Sequence, residues 1–225
     1  MVKIRTPAEH EKYWRDRYNT QGDRAIVHCK AAASGVATQA ANDDWAKGIE
    51  PPVEAALMNY RRMIGPKKAF LLDFGCGVGR WYPFLSGVNA GGLAYNYLGV
   101  DLVQSALDFA NIKYGAMFAP IQTNPLRLDV LADATIDVVF TCTVLQHIVL
   151  DEMLERVTTL FRRIMTKRGL LILIENVEPG PNAEHIHFRS VEDYANLFEW
   201  VGMHKVGEYT SFGQRHAILV GERWA

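Results

Sequence analysis

Cysteine is scarce: among 225 residues the sequence has three, Cys29, Cys76 and Cys142. They are odd in number, far apart and without a CxxC pair, which argues against a disulfide framework or a zinc site and suits a reducing compartment. Long apolar runs are missing too. The longest aliphatic run, Leu170–Ile174, is far below the roughly 20 residues that span a bilayer. Net charge is nearly absent, at −1, so no electrostatic pull toward nucleic acid or an anionic membrane is expected. Internal repeats and linker-like low-complexity tracts are not found. The start, Met1–Arg5 followed by Pro7, lacks the apolar stretch of a secretory leader. The expected location is cytoplasmic.

What is present is alternation. Ala69–Phe74 and Leu98–Leu102 are short apolar runs associated with aspartates, and Ile136–Thr141 and Leu170–Ile174 are purer aliphatic runs. Runs of this kind suit parallel strands covered on both faces. Between them lie helical periods. From Asp151 to Met165, Leu154, Val157, Phe161 and Ile164 share a face, with acids leading, bases trailing and Gly169 as the stop. Ser190 and Asp193 have capping-box spacing. Pro51–Met63 reads as a helix opening on two prolines, and Pro7–Tyr18 as an aromatic, charged helix. Lys205–Ser211 and His216–Glu222, separated by Phe212–Arg215, read as a hairpin. Strand, helix, strand in turn predicts a doubly wound α/β sheet. Residues 1–68 are expected to form a helical cap within the same domain as a core over 69–225.

The chemical signal is Leu71-Leu72-Asp73-Phe74-Gly75-Cys76-Gly77-Val78-Gly79-Arg80. Glycines at a strand-to-helix turn permit positive φ and let a ligand approach the backbone. The dinucleotide fingerprint GxGxxG needs a glycine at position 80, which is Arg80. The spacing here is GxGxG behind an acid. A carboxylate beside the turn repels a pyrophosphate and suits an ammonium, so an amino-acid-bearing nucleoside is favoured over NAD.

Asp73–Gly79 resembles motif I of the class I S-adenosylmethionine-dependent methyltransferases, and later segments resemble the family in order. Tyr97–Leu102 resembles the second strand, whose terminal acid, Asp101 here, accepts the ribose hydroxyls next to Leu102. Leu126–Val130 resembles the segment where an acid meets the adenine amino group, pointing to Asp129 and Val130. Ile136–His147 resembles the fourth strand and its tail beside the reacting methyl, with Thr143 near the ligand, and Gly169–Asn176 resembles the fifth. The resemblance implies a Rossmann-like, mostly parallel seven-stranded sheet with a C-terminal antiparallel hairpin strand and an N-terminal helical cap. The implied cofactor is S-adenosyl-L-methionine, held by Asp73, Gly75, Gly77, Gly79 and the residues just named.

Each residue also has a plainer reading. The glycines could serve only a tight turn, Asp101 could cap the next helix, and Asp129 could be an exposed loop acid. Asp137 is expected at the far end of its strand. His147 is read either as a core histidine or as a general base at neutral pH. Some family members bind a metal through acids in this tail, but the matching positions here are Thr143 and Gln146, so no metal is expected. His185 and His187, beside Glu184, are a polar surface loop or acceptor-facing groups. Trp14 and Tyr18 on the first helix either pack or close over the cofactor.

The implied reaction is in-line transfer of a methyl group to an O, N or C nucleophile of a small-molecule acceptor. Alignment alone can supply about 7–11 kcal/mol of such a barrier. Two other classes fit the same fold: non-methyltransferase chemistry on the same cofactor, such as a lyase or cyclase reaction, and a non-catalytic partner subunit.

Overall fold

The computed structural model describes residues 4, 6–21, 38–90, 93–115, 120–122, 131–178, 185–211 and 214–223. The main sheet contains β1 (Phe70–Phe74), β4 (Asn96–Asp101), β5 (Pro120–Gln122), β6 (Ile136–Cys142), β7 (Met165–Asn176), β8 (His204–Ser211) and β9 (Gln214–Glu222), in the order β5-β4-β1-β6-β7-β9-β8. A separate ribbon joins β2 (Asn89–Ala90) to β3 (Leu93–Ala94). The pairs β5–β4, β4–β1, β1–β6 and β6–β7 are parallel, and β9 runs antiparallel to both β7 and β8. The strand order reverses beside β1, which opens a crevice at the carboxyl ends of β1, β4 and β6.

Alternation along the strands sorts the core into two layers. Leu71, Val138, Ile172 and Ile218 belong to one buried cluster, and Leu72, Val139, Leu171 and Leu219 to the other. A period of two puts neighbours on opposite faces, and helices cover both. On the first face lies α2 (Thr38–Ile64), through Ile49, Val53, Leu57 and Tyr60. On the second lie α5 (Asp151–Ile164), through Leu154, Val157, Phe161 and Ile164, and α6 (Val191–Leu197), through Tyr194. The remaining helices are α1 (Pro7–Gln21), α3 (Tyr82–Gly87) and α4 (Gln104–Tyr114). No helix among the described residues is long and apolar enough to cross a membrane.

Three local expectations are corrected. Pro51 and Pro52 do not open a helix; they lie inside α2. Ile49 and Val53 flank the prolines on one fully buried stripe, so tertiary burial carries the helix past residues that disfavour its interior. Gly169 does not stop α5, which ends at Ile164; it lies within β7. A Cβ there would meet the Thr166 carbonyl at 3.1 Å and Met165 Cε at 2.9 Å, so close packing is what requires the glycine. The hairpin is tighter than Phe212–Arg215, since Ser211 pairs with Gln214 and β9 already includes Gln214 and Arg215. The capping box is as the spacing predicts: Ser190 Oγ accepts from Asp193 N at 3.1 Å, and Asp193 Oδ2 accepts from Ser190 N at 2.7 Å. Asp137 lies at the amino end of β6, paired with Lys67 at 2.6 Å and accepting Phe70 N at 3.0 Å.

Candidate active site

β1 ends in Asp73-Phe74 and the chain turns through Gly75, Gly77 and Gly79 at φ of +76°, +55° and +72°. All three angles lie where a Cβ is disfavoured. Gly75 is constrained further, because a Cβ there would lie 2.5 Å from Val144 Cγ2. The turn is pinned from the neighbouring strand: Gly75 N and Cys76 N donate to Val100 O at 2.8 and 3.0 Å. Asp101 Oδ2 accepts from Gly77 N at 2.9 Å and Oδ1 from Val103 N at 2.8 Å. Asp101 therefore ties the glycine turn to the start of α4. A carboxylate has about four acceptor sites, so these two contacts leave it capacity for a further donor.

Two cavities flank this turn and share Tyr18, Gly75, Cys142 and Thr143. The larger, about 120 Å³, has apolar walls from Phe74, Val100, Leu102 and Val144, with Asp101 and His147 as polar groups. The smaller, about 80 Å³, is polar and carries Asp73 and Arg80. Asp73 accepts the Tyr97 hydroxyl at 2.6 Å, and burial pushes its carboxyl up to about 7. Arg80 packs over the Trp81 ring at 4.9 Å, with Nη2 3.7 Å from Cys142 Sγ. One cavity thus suits a flat nucleoside and the other a zwitterion.

Past β6 the chain enters a short 3₁₀ turn, Leu145–His147. Thr143 has φ of +55°, a left-handed conformation that costs a non-glycine residue energy. The segment is held from both sides by buried charges. Glu175, fully buried, accepts from Val144 N and Leu145 N through Oε1 at 3.1 and 3.0 Å, and from Gln146 N through Oε2 at 3.1 Å. Thr141 Oγ1 donates to it at 3.3 Å. Arg189 donates to Leu145 O and Ile148 O, both at 3.1 Å. One residue satisfies the N–H groups and the other the carbonyls, so Val144 and His147 are held against the glycine turn. Burial raises Glu175 to about 7, opposed by its donors.

Helix α1 roofs the larger cavity. His10, Trp14 and Tyr18 all line it, one helical turn apart at i, i+4 and i+8. Trp14 and Tyr18 pack against Val78, Val103 and Ala106, and the Tyr18 hydroxyl lies 2.7 Å from where a Gly77 Cβ would stand. His147 lines the cavity, with Nδ1 donating to His185 O at 2.8 Å. Burial lowers its pKa to about 3, which keeps the ring neutral.

Most of the sequence-predicted residues therefore converge. Asp73, Gly75, Gly77, Asp101, Leu102, Thr143, Trp14, Tyr18 and His147 all line one cavity or the other. Gly79 shapes the turn behind them. Asp129 and Val130 lie outside the described residues. His185 and His187 are not among the lining residues. His185 stacks between Tyr13, at 5.2 Å, and His147, at 5.9 Å, while His187 N donates to Gln146 O at 2.8 Å. Among the described residues no group of three or more His, Cys, Asp or Glu could hold a metal. The sequence reading missed His10, Glu175 and Arg189. His10 was detectable from its helical spacing to Trp14 and Tyr18; the other two carried no local signal.

Comparison with known proteins follows the same lines. A methyltransferase-domain family matches residues 72–173. No curated protein matches the sequence. Among similar solved structures is the 1,6-didemethyltoxoflavin-N1-methyltransferase of Burkholderia thailandensis, with bound 1,6-didemethyltoxoflavin and S-adenosylhomocysteine. It is 14% identical with a TM-score of 0.68, covering 100% of this chain and 93% of that one. The magnesium protoporphyrin IX methyltransferase of Synechocystis PCC 6803, with bound SAM, is 16% identical with a TM-score of 0.64, covering 95% and 97%. The CurJ carbon methyltransferase is 13% identical with a TM-score of 0.67, covering 99% and 72%. At such identities the likeness is one of fold.

Proposed function

We propose that the chain is a class I S-adenosylmethionine-dependent methyltransferase, moving a methyl group from S-adenosylmethionine to a nucleophilic atom of a small molecule, a reading that the matching methyltransferase-domain model and the similar solved structures support. The observation that carries this reading is the divided cleft: an apolar compartment ending on Asp101 and a polar one bearing Asp73 and Arg80, joined at the glycine turn. Asp101 accepts the ribose hydroxyls, Asp73 faces the ammonium and Arg80 the carboxylate. Val100, Leu102 and Val144 border the nucleoside, with Asp129 and Val130 assigned to its adenine edge. Residues 1–68 act as a cap on the same domain, with Trp14 and Tyr18 closing over the cofactor.

When bound, S-adenosylmethionine supplies a methyl carbon already activated by its sulfonium, so the protein's task is alignment and exclusion of water. Thr143, Val144 and His147 form the wall beside that carbon, held there by Glu175 and Arg189. The resemblance to solved methyltransferases of small molecules supports a small-molecule acceptor here. The test is chromatographic. Incubation of the purified protein with S-adenosylmethionine and a panel of phenols, heteroaromatics and amines should yield S-adenosylhomocysteine only when an acceptor is present. Methylthioadenosine as the product would instead favour lyase or cyclase chemistry. Binding without turnover across the panel would favour a non-catalytic partner.

A further inference from the structure

Asp73 lines the smaller cavity, and the side chain that holds it does not. Tyr97 belongs to the wall of neither cavity, yet its hydroxyl donates to Asp73 Oδ2 at 2.6 Å. The sheet explains how it gets there. β1 and β4 are parallel, with Leu71 opposite Tyr97 and Asp73 opposite Gly99. A period of two puts these four residues on one face, and Leu71 and Tyr97 share the first buried cluster. Tyr97 reaches along that face by one pleat, past Gly99, which has no side chain to obstruct it. The ring itself is fixed. It is 8% exposed and meets Tyr82 edge to face at 5.0 Å, and Tyr82 meets Tyr114 at 5.1 Å.

A hydrogen bond to a carboxylate is stronger than one to a neutral acid, so the Tyr97 hydroxyl favours the ionised form of Asp73. The surroundings oppose it. Burial raises the Asp73 carboxyl to about 7; the hydrogen bond from Tyr97 lowers it most, Arg80 lowers it less, and the Asp101 charge raises it. The other titratable groups around it stay neutral near pH 7. Burial pushes up the Cys76 and Cys142 thiols and the Tyr18 and Tyr97 hydroxyls. Tyr97 is therefore a donor throughout the range in which Asp73 titrates.

We infer that Tyr97 is a positioning residue, whose hydroxyl holds Asp73 in the orientation and charge that the ammonium of the cofactor requires, so that the cleft selects ligands carrying the amino-acid end. This rests on the proposed placement of the ammonium at Asp73. Tyr97 touches no part of the cofactor on this reading and acts through the carboxylate alone. The adenosine end, held at Asp101 and the apolar walls, is outside its influence. Loss of the hydroxyl should then do two separable things. It should weaken ligands with an ammonium and spare those without one, and it should make the weakening depend on pH.

The test compares S-adenosylhomocysteine with methylthioadenosine, which lacks the amino-acid end, by calorimetry on the whole protein. Tyr97→Phe should bind methylthioadenosine as the wild type does. At pH 6.5 it should bind S-adenosylhomocysteine about tenfold more weakly, the equivalent of moving Asp73 by about one pH unit. That deficit should shrink as pH rises to 8, where Asp73 ionises without help. Asp73→Asn should remove both the pH dependence and any further effect of Tyr97→Phe. A second measurement needs no variant. In wild-type protein labelled with carbon-13 at tyrosine Cζ, the Tyr97 signal should move with pH through a midpoint near 7, and that midpoint should fall when S-adenosylhomocysteine binds. A Tyr97 signal that is flat from pH 5 to 8.5, or equal losses for both ligands in Tyr97→Phe, would overturn the role of Tyr97. Equal wild-type affinity for the two ligands would instead overturn the placement of the ammonium at Asp73, and this inference with it.

Discussion

Replacing Glu175 by Gln tests whether two buried polar side chains build the wall of the site. Glu175 accepts three backbone N–H groups and the Thr141 hydroxyl. Glutamine has the same shape but only one acceptor oxygen. With that oxygen in the place of Oε1, its NH₂ faces the N–H of Gln146, donor against donor. The loss is at least one buried amide left without an acceptor, about 1–3 kcal/mol. In a domain of this size each kcal/mol lowers the melting temperature by about 2–4 °C, so the expected fall is about 2–12 °C. Glu175→Ala strands all three amides and, at about 1–3 kcal/mol each, approaches the whole stability of a typical domain; the glutamine variant is the informative one. The sign with pH can be worked out. Burial raises Glu175 from 4.5 to about 7 in the folded state, so the folded protein binds the proton more tightly. Wild-type stability from this group is fully present below 4.5 and falls as pH rises to about 7. Glu175→Gln lacks that slope, so its deficit should be larger at pH 5 than at pH 8. Calorimetric melts of both proteins at the two pH values are the assay. A variant that melts within about 1 °C of wild type at both would refute the clamp. A deficit that grows with pH would show that the donors outweigh burial and hold the carboxylate ionised.

Gly75→Ala should lower both the melting temperature and S-adenosylhomocysteine affinity, because its Cβ enters Val144 at 2.5 Å in a backbone at φ +76°; unchanged values in calorimetry would mean that Val144 moves aside freely. Asp101→Asn should weaken S-adenosylhomocysteine binding about 10- to 150-fold, or 1.5–3 kcal/mol. It should also lower the melting temperature, because one of the amides of Gly77 and Val103 would face an NH₂ group; full affinity in the folded variant would remove Asp101 from the site. Asp73 titrates near 7 in the free protein, and an ammonium is held by its ionised form. S-adenosylhomocysteine affinity should therefore fall as pH drops below about 7, by up to tenfold per unit, and a titration that is flat from pH 6 to 8 would show Asp73 already ionised.

How far the sequence carried depended on the range of each interaction. Strands whose faces are both buried announce themselves as aliphatic runs, and β1, β4, β6 and β7 all contain the predicted runs or most of them. The glycine turn was equally legible, since a positive φ leaves a residue-type signature. The ends of elements were harder. Pro51 and Pro52 inside α2, and Gly169 inside β7, follow tertiary contacts that no local rule contains. The same holds for the clamp. Glu175 and Arg189 stand 30 and 44 residues from the Leu145 groups they bind, and only the sheet and the loop after β7 bring them together. Asp101 was read as either a ribose acceptor or a helix cap. Geometry makes it neither a cap in the strict sense nor idle: it accepts Gly77 N and Val103 N, just ahead of the helix that starts at Gln104, and it lines the cavity.

The two sides of the cleft are built differently, and this separates stability from selectivity. The floor consists of strand ends, the glycine turn and a 3₁₀ segment whose backbone groups are satisfied by Asp101, Glu175 and Arg189. A substitution there leaves buried amides or carbonyls unpaired, so it registers first as lost stability. The roof is α1, which reaches the cavity through His10, Trp14 and Tyr18. Its described contacts to the floor are the His10 bond to the His147 carbonyl, the Trp14 ring against His147 at 4.7 Å, Tyr13 stacked on His185, and packing on Val78, Val103 and Ala106. Exchanging a roof side chain removes none of the sheet's own hydrogen bonds, yet alters the lining of the cavity. On the methyl-transfer reading, the floor fixes where the methyl group is presented. On the same reading, the roof closes over the cofactor, and its exchangeable side chains are where the shape of the cleft can vary without cost to the sheet.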